Sequence, residues 1–222
     1  MILSFTFSCK KKGCYAIEGR TIIPFPHPFE NYFSNLPKSA TWKSNDGLTD
    51  GSLINSGIAW FPFENSSQDP VTCNELVGEQ RIISYKQSLY SQNFEASITV
   101  RDNNELFLLV KIDFNDTTKN YTDTWHMLKR LDNDTVICRT FTSFGYFYVS
   151  SGYYVNSKAS DFSTIDSIQV NNKTYKDVFH IVNREATRVG SSFSITEMFI
   201  DKFIGVVRYK LKNGQIWDLD NK

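Results

Sequence analysis

Histidine is scarce in this chain, three residues in 222, and none of His27, His126 and His180 has a partner at the spacing metal ligation requires. There is no glycine-rich phosphate loop, no Gly-x-Ser-x-Gly elbow and no His-Glu-x-x-His run, so no motif assigns phosphate or nucleophile chemistry. Nothing in the sequence calls for a cofactor or a metal. An excess of one charge is missing as well. Lys+Arg 24 balance Asp+Glu 24, which removes the global basic field that would recruit nucleic acid and leaves only a local patch open. No internal hydrophobic run approaches the roughly 18 residues of a membrane-spanning helix. A sustained helical period between strand signals is also absent, which excludes an alternating β-α layout.

What is present is aromatic and alternating. Aromatic residues make up 15% of the chain, with Phe 18 and Tyr 11, a bias toward strands. An apolar share of 41% excludes wholesale disorder. Beyond residue 38 the dominant period is two. Ala96, Ile98 and Val100 alternate with polar neighbours, Asp102-Asn103-Asn104 forms a turn, and Leu106, Leu108, Val110, Ile112 and Phe114 alternate on the return. Residues 125–131 and 135–142 repeat this grammar around a turn at 132–134, and 167–170 and 174–182 do so around Asn171-Asn172-Lys173. Residues 193–200 pair with 203–211, after which Asn213-Gly214 leads into 215–219. Residues 144–149 read as one further strand, and 76–90 has room for a short helix. Strand, tight polar turn and strand predict antiparallel neighbours, hence an all-β meander forming a strongly curved sheet or an incomplete barrel.

The amino terminus has a different character. An apolar run, Met1 to Ser8, meets Cys9 and turns abruptly basic at Lys10-Lys11-Lys12. This junction resembles the end of a bacterial lipoprotein signal peptide, and Ser8-Cys9-Lys10-Lys11 in particular resembles the lipoproteins of Bacteroidota. The run is shorter than a whole signal, so the chain is expected to begin inside one. The other reading is a short buried first strand with an ordinary thiol. The resemblance implies acylation of Cys9, attachment to the outer membrane through that lipid, and a periplasm-facing position, because lysines stand where surface export is signalled by acidic residues. It sets off a signal remnant (1–8) and a tether (9–38); with no tandem repeat and no linker beyond, 39–222 reads as a single β domain, a split near residue 90 being the alternative. Pro24, Pro26, Pro28 and Pro37 suit an extended spacer, while Phe25, Phe29, Tyr32 and Phe33 place part of it on the domain surface. With Cys9 acylated, an exported location permits one disulfide among Cys14, Cys73 and Cys138. Cys138 sits in an apolar strand, which leaves Cys14 with Cys73 as the candidate pair.

The carboxy terminus carries a second resemblance. Tyr175-Lys176-Asp177-Val178, Gly205-Val206-Val207 and the ending Gly214-x-x-Trp217-x-Leu219 are similar to the close of many uncharacterised Bacteroidota lipoproteins. The resemblance implies an antiparallel β domain and supplies no catalytic residues. Gly205 is expected at a close approach or a bulge, and Trp217 and Leu219 on one face at the end of the sheet.

Three candidate sites follow from the residues themselves. Phe144, Tyr146 and Tyr148 alternate onto one face if 144–149 is one strand, giving a stacking platform for a sugar ring or an apolar ligand, or else sheet core. Residues 45–51 form an acidic, glycine-rich loop that reads as a calcium loop or, more simply, a turn. His180, between Val178 and Val182, reads as a core or rim imidazole. The expected function is non-enzymatic binding or accessory work by a lipid-anchored envelope protein. The alternatives are a hydrolase or lyase acting on polysaccharide and a carrier of an apolar ligand inside the sheet.

Overall fold

The computed structural model describes residues 15–17, 20–62, 75–86, 93–101, 105–116, 121–131, 136–144, 147–149, 162–189 and 191–220. A first group of strands is β1 (Tyr15–Ile17), β2 (Arg20–Ile23), β3 (Ser39–Ser44), β4 (Thr49–Pro62) and β5 (Glu75–Lys86). Next come β6 (Asn93–Arg101), β7 (Glu105–Asp116), β8 (Tyr121–Arg130), β9 (Val136–Phe144) and β10 (Phe147–Val149). The rest are β11 (Phe162–Val170), β12 (Lys173–Val182), β13 (Ile195–Asp201), β14 (Gly205–Leu211) and β15 (Ile216–Leu219), with one short helix, α1 (Arg184–Val189), between β12 and β13.

The protein is all-β. Strands β3 to β10 follow one another as an antiparallel meander, and β11 to β15 form a second one. Strand β15 zips the two arms together by pairing with β3 through Trp217↔Ser44 and Leu219↔Trp42. The predicted β6–β7 hairpin appears: Val100↔Leu106, Ile98↔Leu108 and Ala96↔Val110 join the strands, and all six side chains are buried. Among the described residues one pairing is parallel. Strand β2 runs beside β5 from Arg20↔Glu75 to Ile23↔Gly78, on a stretch of β5 that β6, paired from Gln80 to Lys86, does not reach.

The curvature can be measured from side chains. Phe94 on β6 and Tyr209 on β14 are five strand steps apart, about 24 Å in a flat sheet, yet their ring centroids lie 5.3 Å apart. Lys129 on β8 holds its ammonium 5.2 Å from the Phe162 ring of β11, ten steps away. The sheet is therefore rolled, and among the described residues β10 and β11 do not pair to close it. Alternation explains which face turns inward. Ala40 and Trp42 of β3, Tyr209 and Leu211 of β14, and Trp217 and Leu219 of β15 are all buried, with exposed or half-buried residues between them. Trp42 makes edge contacts with Tyr85 and Tyr209 at 5.6 and 5.0 Å, so rings fill the interior of the roll.

At Gly205 the two arms press close together. Its φ is +86°, and a Cβ there would stand 3.2 Å from both Ile83 Cγ2 and the Tyr85 hydroxyl of β5. A register shift between Phe199 and Ile200 marks the adjoining bulge. Only a residue without a side chain satisfies both the backbone and the packing. Helix α1 begins at Asn183, whose Oδ1 accepts from the Ala186 amide at 3.0 Å as an N-cap.

Three expectations change in the structure. Residues 75–86 form a strand and not a helix, because β4 and β6 both offer β5 antiparallel partners that outweigh any local helical preference. Residues 144–149 are not one strand: Phe147 pairs with Phe144 and Val149 with Thr142, so β9 and β10 are antiparallel neighbours. The turn after β11 is two residues long, with Asn171 at φ 52° and Lys173 already paired to Val170. Residues 20–38, read from sequence as part of a tether whose aromatics lie on the domain surface, do lie against the folded body. Besides β2, they contribute Phe25 and Phe33 to the core.

Candidate functional site

Residues 24–37 make a strap across one part of the roll. Proline prevents a helix there, and two tight turns, Phe29 N–H to Pro26 O and Tyr32 N–H to Phe29 O, fold it compactly instead. The strap is pinned on two sides. Phe33 N–H donates to Lys202 O at 2.7 Å and Asn35 N–H to Phe203 O at 3.1 Å, joining it to the turn between β13 and β14. From β5, Arg81 donates through one Nη to the carbonyls of Glu30 and Tyr32 at 2.8 and 2.6 Å. The same guanidinium bonds Glu79 at 2.8 Å and covers the Phe25 ring at 4.5 Å. A planar five-donor group is suited to meeting all four partners at once.

The strap, the start of β12 and the β13–β14 turn enclose an open groove of about 490 Å³. Tyr32, Tyr175 and Phe203 supply rings, and Lys173, Lys176 and Lys202 supply ammonium groups. Phe203 is 43% exposed although it is large and apolar. It stands edge-on to Tyr32, with centroids 6.3 Å apart at 78°. The Lys202 ammonium lies 5.8 Å from the Tyr32 ring and 5.5 Å from that of Phe179, and Lys173 lies 5.0 Å from Tyr175. Asp201 is spent on structure, since its Oδ1 accepts from the Phe203 and Ile204 amides at 2.9 and 3.0 Å and holds the turn open. Asp177, exposed and at φ 50°, leaves a carboxylate on the rim. Burial pushes the Tyr32 phenol up, and the Asp177 charge adds to this. Burial likewise raises Tyr175, followed by Asp201 and Asp218. Both phenols therefore stay neutral donors well past neutral pH. The groove thus combines ring faces, positive charge, neutral donors and a carboxylate acceptor.

On the outward face of the second arm lies a different row. His180 Nε2 and Lys210 Nζ both meet Glu197 Oε2 at 3.0 Å. The imidazole stacks on Phe199 at 4.5 Å, and its Nδ1 stands 3.4 Å from the Ser163 hydroxyl. Burial alone would raise the Glu197 carboxyl, but the hydrogen bonds and charges of Lys210 and His180 outweigh it and hold the group below its ordinary range. The row continues through Arg208, which forks onto Asp218 with its second bond at 2.7 Å. It ties β11 to β15 across the sheet by side-chain pairs. His180 is thus a rim imidazole with a carboxylate partner that lies 17 residues away in sequence.

Of the residues singled out from sequence, Cys9, Cys14, Cys73 and Tyr146 lie outside the described residues. Phe144 and Tyr148 are described as backbone only; the first ends β9 and the second sits in β10, paired with Ser143. Residues 45–48 form the β3–β4 turn, where Asp46 accepts from the Ser44 hydroxyl and from Gln215 Nε2. Those two bonds, Ser44 first, lower its pKa and occupy both carboxylate oxygens. Among the described residues no cluster of three His, Cys, Asp or Glu could hold a metal ion, and no helix is long and apolar enough to cross a membrane.

The groove was not found from sequence. Its residues come from three segments, 32–35, 173–177 and 201–204, and the usable signal was Lys202-Phe203, a cation and a large apolar ring at a hairpin tip where small polar residues are usual. No family model matches the chain, and no curated protein or solved structure matches it either.

Proposed function

We propose that this chain is a lipid-anchored binding protein of the bacterial envelope, held by an acylated Cys9 and presenting the groove between the strap and β12–β14 to a soluble or polymeric ligand. The groove carries the binding half of this reading. It gathers exposed aromatic surface and unlike polar groups in one concavity, which a purely structural sheet edge has no need to do. The anchoring half is supported by Ser8-Cys9-Lys10, and Lys10 to Lys12 favour a periplasm-facing outer-membrane position. The filled interior favours a surface site over an apolar carrier cavity, since Trp42, Tyr85, Phe94, Tyr209 and Trp217 occupy that space. The cross-strand row is accounted for by strand pairing and needs no catalytic role.

Inhibition of signal peptidase II in cells making this protein is expected to accumulate a heavier precursor. Mass spectrometry of mature material is expected to find Cys9 diacylated at the new amino terminus. An intact chain carrying a free Cys9 thiol in both experiments overturns the anchoring.

A further inference from the structure

We infer that the groove's ligand is an acidic saccharide: a sugar that carries a carboxylate or sulfate as well as free hydroxyl groups. This rests on the reading of the groove as a binding site and narrows what it binds. Three lysines against two carboxylates, Asp177 on the rim and Asp201 held by two amides, leave the groove a net positive charge, so an anionic ligand is attracted. Asp177 nevertheless repels any ligand that offers only negative charge. A ligand satisfying both signs brings an anion for the ammonium groups and hydroxyl donors for the carboxylate.

The rings restrict the choice further. Tyr32 stands at 61° to Phe179 and 78° to Phe203, so these rings present separate faces and not a parallel-walled slot. A planar base needs such a slot to be sandwiched, whereas the C–H face of a sugar packs on one ring. Phe203, nearly half exposed on the rim, offers that ring. The Tyr32 and Tyr175 hydroxyls, which line the groove and are protonated at neutral pH, add hydrogen bonds to the anion or to ring oxygens.

Isothermal titration of the purified full chain at low salt tests this with four probes: oligogalacturonate, dextran sulfate oligomers, neutral dextran oligomers and AMP. One or both acidic sugars are expected to bind at least tenfold tighter than neutral dextran or AMP, and the preferred one distinguishes carboxylate from sulfate. The double variant Lys173→Gln/Lys176→Gln is expected to lose at least tenfold for the acidic sugar. Phe203→Ala is expected to lose a similar factor. All of these side chains are exposed, and an unchanged melting temperature verifies the fold. Neutral dextran binding as tightly as the acidic sugars, and losing affinity only in Phe203→Ala, overturns the acidic ligand while keeping the groove as a site. Tighter binding of AMP overturns the saccharide assignment. Acidic-sugar binding that neither variant alters, or no binding of any probe, overturns the inference, the first of these also removing the groove as the site.

Discussion

At the scale of single residues, the structure gives sharp consequences to positions that look ordinary in sequence. Gly205 reads as one glycine among eleven, but φ +86° and two neighbours at 3.2 Å leave no room for a methyl group. Gly205→Ala is expected to cost about 2–3 kcal/mol, combining the left-handed backbone penalty with overpacking, measured as a shift in urea midpoint at constant slope. Glu197 has the opposite character, since its contribution depends on pH. Its folded-state pKa is lowered, so the stability it adds is full above the unfolded carboxylate value and vanishes as pH falls through the folded one. The stability difference between wild type and Glu197→Gln is expected to be at most about 1 kcal/mol near neutrality for this part-exposed group. It should shrink toward zero below about pH 4, and urea titrations of both proteins across pH 3 to 7 measure it. A difference that grows on acidification contradicts the assignment.

At the scale of elements, local pattern was a good guide where clear alternation flanked a polar turn on both sides. The β6–β7 ladder was legible because alternation and a polar turn specify it without outside help. It was misleading where the partner was remote or the turn was short. Strand β5 owes its form to β4, β6 and β2 together, and the change from β9 to its antiparallel neighbour β10 is hidden inside an aromatic-rich run. The strap was half legible: prolines excluded a helix and its aromatics suggested contact, but Arg81, which lies 49 residues beyond Tyr32, gave no sign in sequence that it would hold it. Arg81→Ala is expected to destabilise by about 2–3 kcal/mol, since it removes charge-assisted bonds and leaves Glu79 buried without its guanidinium. Hydrogen exchange separates the local effect from the global one. The Phe33 and Asn35 amides, bonded to Lys202 and Phe203, should lose more protection than those of β6 and β7. Arg81→Lys should give the same exchange pattern, because an ammonium cannot span both carbonyls and Glu79.

At the scale of the whole molecule, the governing fact is that a sheet of fifteen strands among the described residues is rolled until distant members touch. Rings at the centre of that roll hold the arms together, and Trp42 reaches Tyr85, Phe94 and Tyr209 at once. Trp42→Ala is expected to cost about 3–5 kcal/mol, with near-ultraviolet dichroism and far-ultraviolet dichroism lost together if the two arms unfold as one. The candidate site exists only because of this rolling, which brings the strap of the first arm beside the hairpin turn of the second. No linear motif encodes a groove assembled from three segments so far apart, and that is why the fold was legible while the site was not. The most direct test of the groove as the binding site is a titration of isotope-labelled full chain with oligogalacturonate, followed by amide chemical shifts. Saturable shifts concentrated at residues 32–35, 173–177 and 201–204 are predicted; shifts centred instead on 141–148, or on the Ser163–His180–Glu197 row, would contradict the account.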